Sequence, residues 1–240
     1  DVAKNRFGLQ EDRYSEQIGV VSGRDEVFYV TNGTAIMNFA LVDRNDPSAG
    51  IQIMRTLDVA CDLDKREREF GLLLHRTCDG NLVVVSAHSI RIVDSGLTRT
   101  LSVLRFSEEL FTKNVTVDDC GGIYMVSDST LRKVVWTGSR LTPFEADGGW
   151  SSPYYFADKK ASRTGVTTAP VLMGAAGDPD KLVVIAVTGD RKKLVAFWRD
   201  RIPTGWARLP EAPARRIAGQ IDIAGDSKSV PVTAQSVVVH

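Results

Sequence analysis

Very little in this sequence points to a membrane, a polyanion or a metal cluster. Across 240 residues there is no apolar run of the roughly 18 residues that a spanning helix needs, so no membrane segment is expected. Neither charge sign is in excess, with 30 Lys and Arg against 30 Asp and Glu. Nucleic-acid binding leaves a basic footprint, so nucleic acid is not an expected partner. Cysteines number three, and none sits in a CxxC or similar metal spacing, which argues against zinc. Histidines also number three. No G-x-S-x-G elbow, P-loop or G-x-G-x-x-G is present, so neither a serine hydrolase nor a nucleotide cradle is indicated. The cysteines leave two readings open: a Cys61–Cys78 bridge with Cys120 as a thiol, or three buried thiols. The chain starts at Asp1 without Met, and a cleaved secretory signal fits that start, so a secreted or periplasmic location is the expectation.

Helical periodicity is scarce as well. The best candidate is Asp62–Phe70 (DLDKREREF), whose alternating charges predict a solvated loop or one exposed turn. What the chain does contain is a recurring strand pair. DEVFYVTNGTAIMNFAL from Asp25, DGNLVVVSAHSIRIVD from Asp79, GGIYMVSDSTLRKVVW from Gly121 and PDKLVVIAVTGDRKKLVAFW from Pro179 share one plan. A turn precedes a short apolar strand, a polar turn follows, and a second strand alternates. The first strands begin at Val27, Leu82, Ile123 and Leu182, which are 55, 41 and 59 residues apart. Irregular repeats of about 40–50 residues, each of four short strands, are the signature of propeller blades.

The expected fold is therefore all-β: a single β-propeller domain over 1–240 with four-stranded antiparallel blades. The blades fall at about 18–57, 71–104, 114–144 and 168–209, with a partial unit at 217–240. Outer strands are expected at Arg99–Leu104, Arg140–Phe144 and near Thr204–Leu209, and Gln235–His240 reads as a further strand. Mid-sheet strands packed on both faces explain the nearly continuous apolar runs. The count leaves the ring incomplete, and three readings follow: a small ring whose last strand completes a blade begun at the N-terminus, a piece of a longer propeller, or a second chain or oligomer that supplies the missing blades, the last two being the expectation.

The third unit, KNVTVDDCGGIYMVSDSTLRKVVWTGSRL from Lys113, resembles the segment N-x-x-x-D-x-x-G-x-(I/L)-Y-V-x-D of the six-bladed SMP-30, gluconolactonase and strictosidine-synthase-like propellers. The fourth unit, with TTAPVLMG from Thr167, is similar to an uncharacterised branch of that group. The resemblance spans roughly Gly71 to Pro203. It implies a metal-assisted, lactonase-like hydrolase acting on a small molecule in the central channel. It also implies Ca²⁺ near Asn114, which opens the inner strand, with Asp118 nearby. In the family pattern Pro-Asn-Gly stands where this chain has Lys113-Asn114-Val115.

The residues themselves offer further candidates. His75, at the end of an inner strand, is the candidate general base. Asp118 precedes Asp119-Cys120-Gly121-Gly122 and equally suits an Asx turn. Thr167 and Thr168 lead into an inner strand, where hydroxyls would face the channel end. Trp150, Tyr154 and Tyr155 crowd one loop and could stack on a planar ligand. Trp136 and Trp198 end third strands and suit packing between blades. The alternative to an enzyme is a non-catalytic ligand-binding or protein-interaction scaffold on the same fold.

Overall fold

The structure, a computed structural model, describes residues 20–22, 28–32, 34–155, 165–166, 169–175, 177–188 and 193–223. It is nearly all-β. Among the described residues the helical parts are one six-residue helix, α1 (Lys65–Phe70), and three single 3₁₀ turns. The strands form four sheets. The first has the order β1 (Val20–Ser22), β2 (Phe28–Asn32), β3 (Ala35–Leu41), β4 (Ile51–Asp58). The second runs β5 (Leu73–Arg76), β6 (Leu82–Val85), β7 (Ser89–Val93), β8 (Thr100–Arg105). The third runs from β9 (Phe111–Val117) through β10 (Gly122–Ser127) and β11 (Thr130–Trp136) to β12 (Leu141–Thr142), with β13 (Trp150–Pro153) also on β11. In the fourth, β14 (Gly165–Val166) and β15 (Val171–Met173) both pair with β16 (Leu182–Thr188), followed by β17 (Lys193–Trp198) and β18 (Ile217–Asp222).

Consecutive strands pair antiparallel because short polar turns join them, as in β10–β11 with Tyr124 opposite Lys133 and Met125 opposite Arg132. The expected blade plan of four sheets in chain order is thus present as sheets. Two details differ. The outer strand of the fourth sheet is β18 rather than Thr204–Leu209. Ile217 on β18 is fully buried, whereas Trp206 in the preceding loop packs edge-on against Trp198 at 5.1 Å. Consequently, Ile217–Asp222 belongs to the fourth sheet and does not open a fifth. The Gln235–His240 strand lies outside the described residues.

The chain divides into two compact units where the sequence suggested one domain. The first holds residues up to Arg76 with Gly80–Leu101, and the second holds Thr77–Asp79 with the residues from Ser102 onward. In the first unit, Tyr29 and Ile36 of the first sheet pack with Leu74, Leu82 and Val84 of the second. In the second unit, Tyr124, Val126 and Leu131 of the third sheet pack with Val183, Ile185 and Phe197 of the fourth. Alternation places these residues on one face of each sheet. Strands β6 and β10 are buried at every position, which is the physical reason their runs lack polar alternation.

At Asp62–Phe70, where the sequence predicts a solvated loop or one exposed turn, the short helix α1 is exposed for the most part, and its Glu67 is buried. Asp64 caps it, its carboxylate accepting from Glu67 N at 2.8 Å, while Glu67 Oε2 accepts from Asp64 N at 3.0 Å. The cysteines are corrected too: all three are exposed and no disulfide joins them.

Candidate functional site

The turn that carries the family resemblance is where the polar groups of the second unit converge. Strand β9 ends at Val117, and Asp118 follows, 7% exposed. Its Oδ1 accepts from Cys120 N at 2.9 Å and Gly122 N at 2.7 Å, closing an Asx turn. Its Oδ2 accepts from the Tyr124 hydroxyl at 2.9 Å and from Arg199 Nη2 at 3.3 Å. The two glycines are required by this geometry. Gly121 has φ +83, and a Cβ there would lie 2.4 Å from the Trp136 carbonyl oxygen. A Cβ on Gly122 would meet Asp118 Oδ2 at 2.5 Å. The D-x-x-G-x-I-Y pattern is therefore a turn device, in which the Asp and the Tyr bond to each other.

Around this turn the charges are matched. Arg199, itself 7% exposed, pairs with Asp118 and lies 3.8 Å from Asp119. Next in the chain, Asp200 accepts from Lys133 Nζ at 3.0 Å and lies 3.6 Å from Lys181 Nζ. Burial pushes the Tyr124 hydroxyl pKa far up, and the Asp118 carboxylate adds to the rise, so the phenol stays protonated. Burial pulls the Arg199 guanidinium down, but Tyr124, Asp118 and Asp200 outweigh it, and the net direction is up. Desolvation raises Asp200, yet the Lys133 hydrogen bond and the surrounding cations hold it below the usual carboxylate value. A cavity of about 490 Å³ opens beside this cluster, with Lys133, Gly148, Asp178, Asp200 and Arg201 in its lining. Lys133 and Asp200 pair with each other within the wall, and Asp178 accepts from Ala175 N at 2.6 Å.

The structure places the sequence candidates as follows. Asp118 sits at the centre of the turn. Asn114 lies within β9, and only its backbone is described. Asp118, Asp119 and Cys120 bring ligand atoms within 4.8 Å of one another. This set does not fit calcium. The Asp118 carboxylate already accepts from four donors, a guanidinium supplies the positive charge, and the third member is a thiol. Calcium asks for six to eight oxygen ligands. The Cys120 thiol is pushed above its usual pKa by the neighbouring Asp119 charge, which keeps it a poor ligand.

His75 lies on β5 opposite Val83, half-buried, and burial lowers its pKa. That favours the neutral imidazole and makes it a weaker base. Trp150 and Tyr154 are corrected from ligand-stacking residues to core residues. Trp150 is 2% exposed and donates from Nε1 to the Arg199 carbonyl at 2.8 Å. Tyr154 donates to the Ser127 carbonyl at 2.6 Å. β13 pairs with β11, and that pairing turns both rings inward against the fourth sheet. Tyr155 is half-buried against the same core, its ring 4.8 Å from that of Tyr154. Thr167 and Thr168 lie outside the described residues. Trp136 is buried as expected and donates from Nε1 to Asp79 Oδ2 at 2.8 Å.

Two groups escaped the sequence reading. Arg199 reads as a strand-end cation, and only the fold brings it to Asp118, 81 positions away. In the first unit, Glu67 is 1% exposed and its Oε1 accepts from the Ser86 and Ser89 hydroxyls. Arg91, fully buried, donates to Ser89 Oγ at 3.4 Å and lies 3.5 Å from Asp62. The capping-box spacing Asp64-x-x-Glu67 is the one sequence signal that could have flagged this cluster.

Comparisons with known proteins add little chemistry. No family model matches the sequence. Over 135 residues, 55% of this chain, it is 31% identical to an uncharacterised protein of Archaeoglobus fulgidus. The match covers 25% of that relative, so the chain spans about a quarter of its length. Among solved structures, the crystal structure of the Pseudomonas aeruginosa PilY1 C-terminal domain matches with a TM-score of 0.47 at 13% identity. That match covers 77% of this chain and 49% of the other.

Proposed function

We propose that this chain is part of a β-propeller, each four-stranded sheet being one blade, and that it works as a non-catalytic binding scaffold. One observation carries the reading: the one carboxylate among the candidate metal ligands, Asp118, is consumed. Asp118 accepts from two turn amides, a tyrosine hydroxyl and a buried arginine. A metal or a substrate at that carboxylate would have to displace Arg199 and leave its cation buried, a costly exchange. Trp150 and Tyr154 are spent on the core in the same way. The motif is kept for the fold, and recognition is left to the surface.

A calcium titration tests this. Calorimetry and thermal unfolding of the 240-residue chain should show no Ca²⁺ binding and no rise in melting temperature, and simple lactones should be hydrolysed no faster than in buffer. A Ca²⁺-dependent rise that disappears in Asp118→Asn would restore the metal-assisted hydrolase.

A further inference from the structure

Among the described residues, each unit carries a sheet face with exposed apolar side chains. In the first sheet, the face bearing Tyr29 and Ile36 is buried against the second sheet. The opposite face follows from the register, which sets Met37 opposite Thr56, Phe39 opposite Ile53 and Leu41 opposite Ile51. Its row of five apolar residues is half-buried to exposed, with Ile51 66% exposed and Met54, at the adjacent bulge, 57% exposed. In the fourth sheet, Val183, Ile185, Val195 and Phe197 face the core. The other face sets Met173 opposite Leu182 and Leu194 opposite Ile221, with Met173 40% and Ile221 64% exposed.

A solvent-facing sheet normally carries charge, especially toward its edge strand. Here the face carries Thr56 and Asp58 at one end, opposite Met37 and Ala35, and the stretch Met37, Phe39, Leu41, Ile51 and Ile53 beyond them is apolar throughout. Contiguous apolar surface of this kind marks an interaction site.

We infer that these two faces are docking surfaces for further four-stranded antiparallel sheets, supplied by polypeptide outside these 240 residues. Two observations choose that occupant. Within each unit the chain already covers the corresponding faces in this way, sheet upon sheet, with the same β-branched and aromatic residues. Polypeptide to supply such sheets exists in the archaeal relative, of which this chain spans about a quarter. The inference rests on the reading of the chain as part of a propeller and is separate from the choice between scaffold and enzyme, since an apolar face needs cover in either case.

The methionines report on it directly. Met54 and Met173 lie on or beside the two faces, while Met125 is fully buried in β10 and serves as the internal control. Oxidation by dilute peroxide, read by mass spectrometry, follows side-chain exposure. In the 240-residue chain Met54 and Met173 should oxidise readily and Met125 should not. In the longest natural polypeptide that carries this sequence, Met54 and Met173 should oxidise at least about tenfold more slowly, the factor that a docking free energy of about 1.4 kcal/mol gives. Ile51→Lys should restore Met54 oxidation there while leaving the melting temperature of the 240-residue chain unchanged. Equal rates in the two polypeptides overturn the inference. So does protection already present in the 240-residue chain, whether concentration-dependent, as a second copy gives, or not, as the chain's own residues give. Neither outcome bears on the calcium titration, so the two proposals fail separately.

Discussion

Two buried polar clusters do opposite jobs with similar parts. In the first unit, Glu67 projects inward from α1 and collects two serine hydroxyls and the amide of its cap residue Asp64. These donors lie close in sequence, with Ser86 19 positions away, and the buried Arg91 joins them through Ser89. In the second unit, Asp118 also collects local donors, but it adds Arg199 from 81 positions away. The first cluster fastens a short helix to the sheet beside it. The second fastens a turn of one sheet to the end of a strand in the next. The lesson is that a buried carboxylate marks a junction here, and its partners show which elements the junction joins.

Substitutions should separate the two. Asp118→Ala removes one half of a buried ion pair and strands Arg199, so the second unit should lose about 3–5 kcal/mol. Urea unfolding followed by the fluorescence of Trp136 and Trp150 measures it. Adding Arg199→Met should recover part of that loss in a double-mutant cycle, because the uncompensated cation is gone; additive losses would dissolve the contrast. Glu67→Gln keeps the shape and loses charge-assisted hydrogen bonds, so a smaller loss of about 1–3 kcal/mol is expected in the first unit. Gly121→Ala tests the turn without touching charge. A positive φ and contact with the Trp136 carbonyl should cost about 1–3 kcal/mol.

Smaller effects sharpen the picture. The His75 pKa is lowered by burial from its ordinary 6.5, so the unfolded chain binds the proton more tightly than the folded one. Stability should therefore fall as pH drops from 7 through the unfolded value toward the lower folded one, and His75→Gln should flatten that slope in a series of melting temperatures. Smallest of all, Lys65→Ala removes an exposed pairing with Glu69 at 3.9 Å and should change stability by less than about 0.5 kcal/mol. A larger change there would mean that α1 is held by its surface charges and not by Glu67.

Much of the sheet content was legible before any coordinates. The pairs β2–β3, β6–β7, β10–β11 and β16–β17 follow from local turns and apolar runs, because neighbouring strands pair with little loop-closure cost. The outer strand of the fourth sheet was less legible. Both Thr204–Leu209 and Ile217–Asp222 have weak strand patterns, and packing chose the segment that buries Ile217 while leaving Trp206 to stack on Trp198. The aromatic run Trp150–Tyr155 misled for a related reason. Composition cannot tell a stacking loop from an inward-facing strand, and the difference lies in the pairing of Arg132 with Ser151 and Lys133 with Trp150.

By itself, then, the sequence determined that this is an all-β chain built on a repeated strand pair, without an apolar run long enough for a spanning helix and without an excess of either charge. Those properties are local or compositional, and neither needs to know where distant residues meet. Tertiary structure decided what the polar residues are for. Asp118 could be a ligand or a turn cap on sequence grounds, and the arrival of Arg199 made it a buried junction. Glu67 looked like one more surface charge, and Ser86 and Ser89 made it core. In both cases the deciding partner is brought by the fold, because a buried charge must be answered by whatever group the packing places beside it.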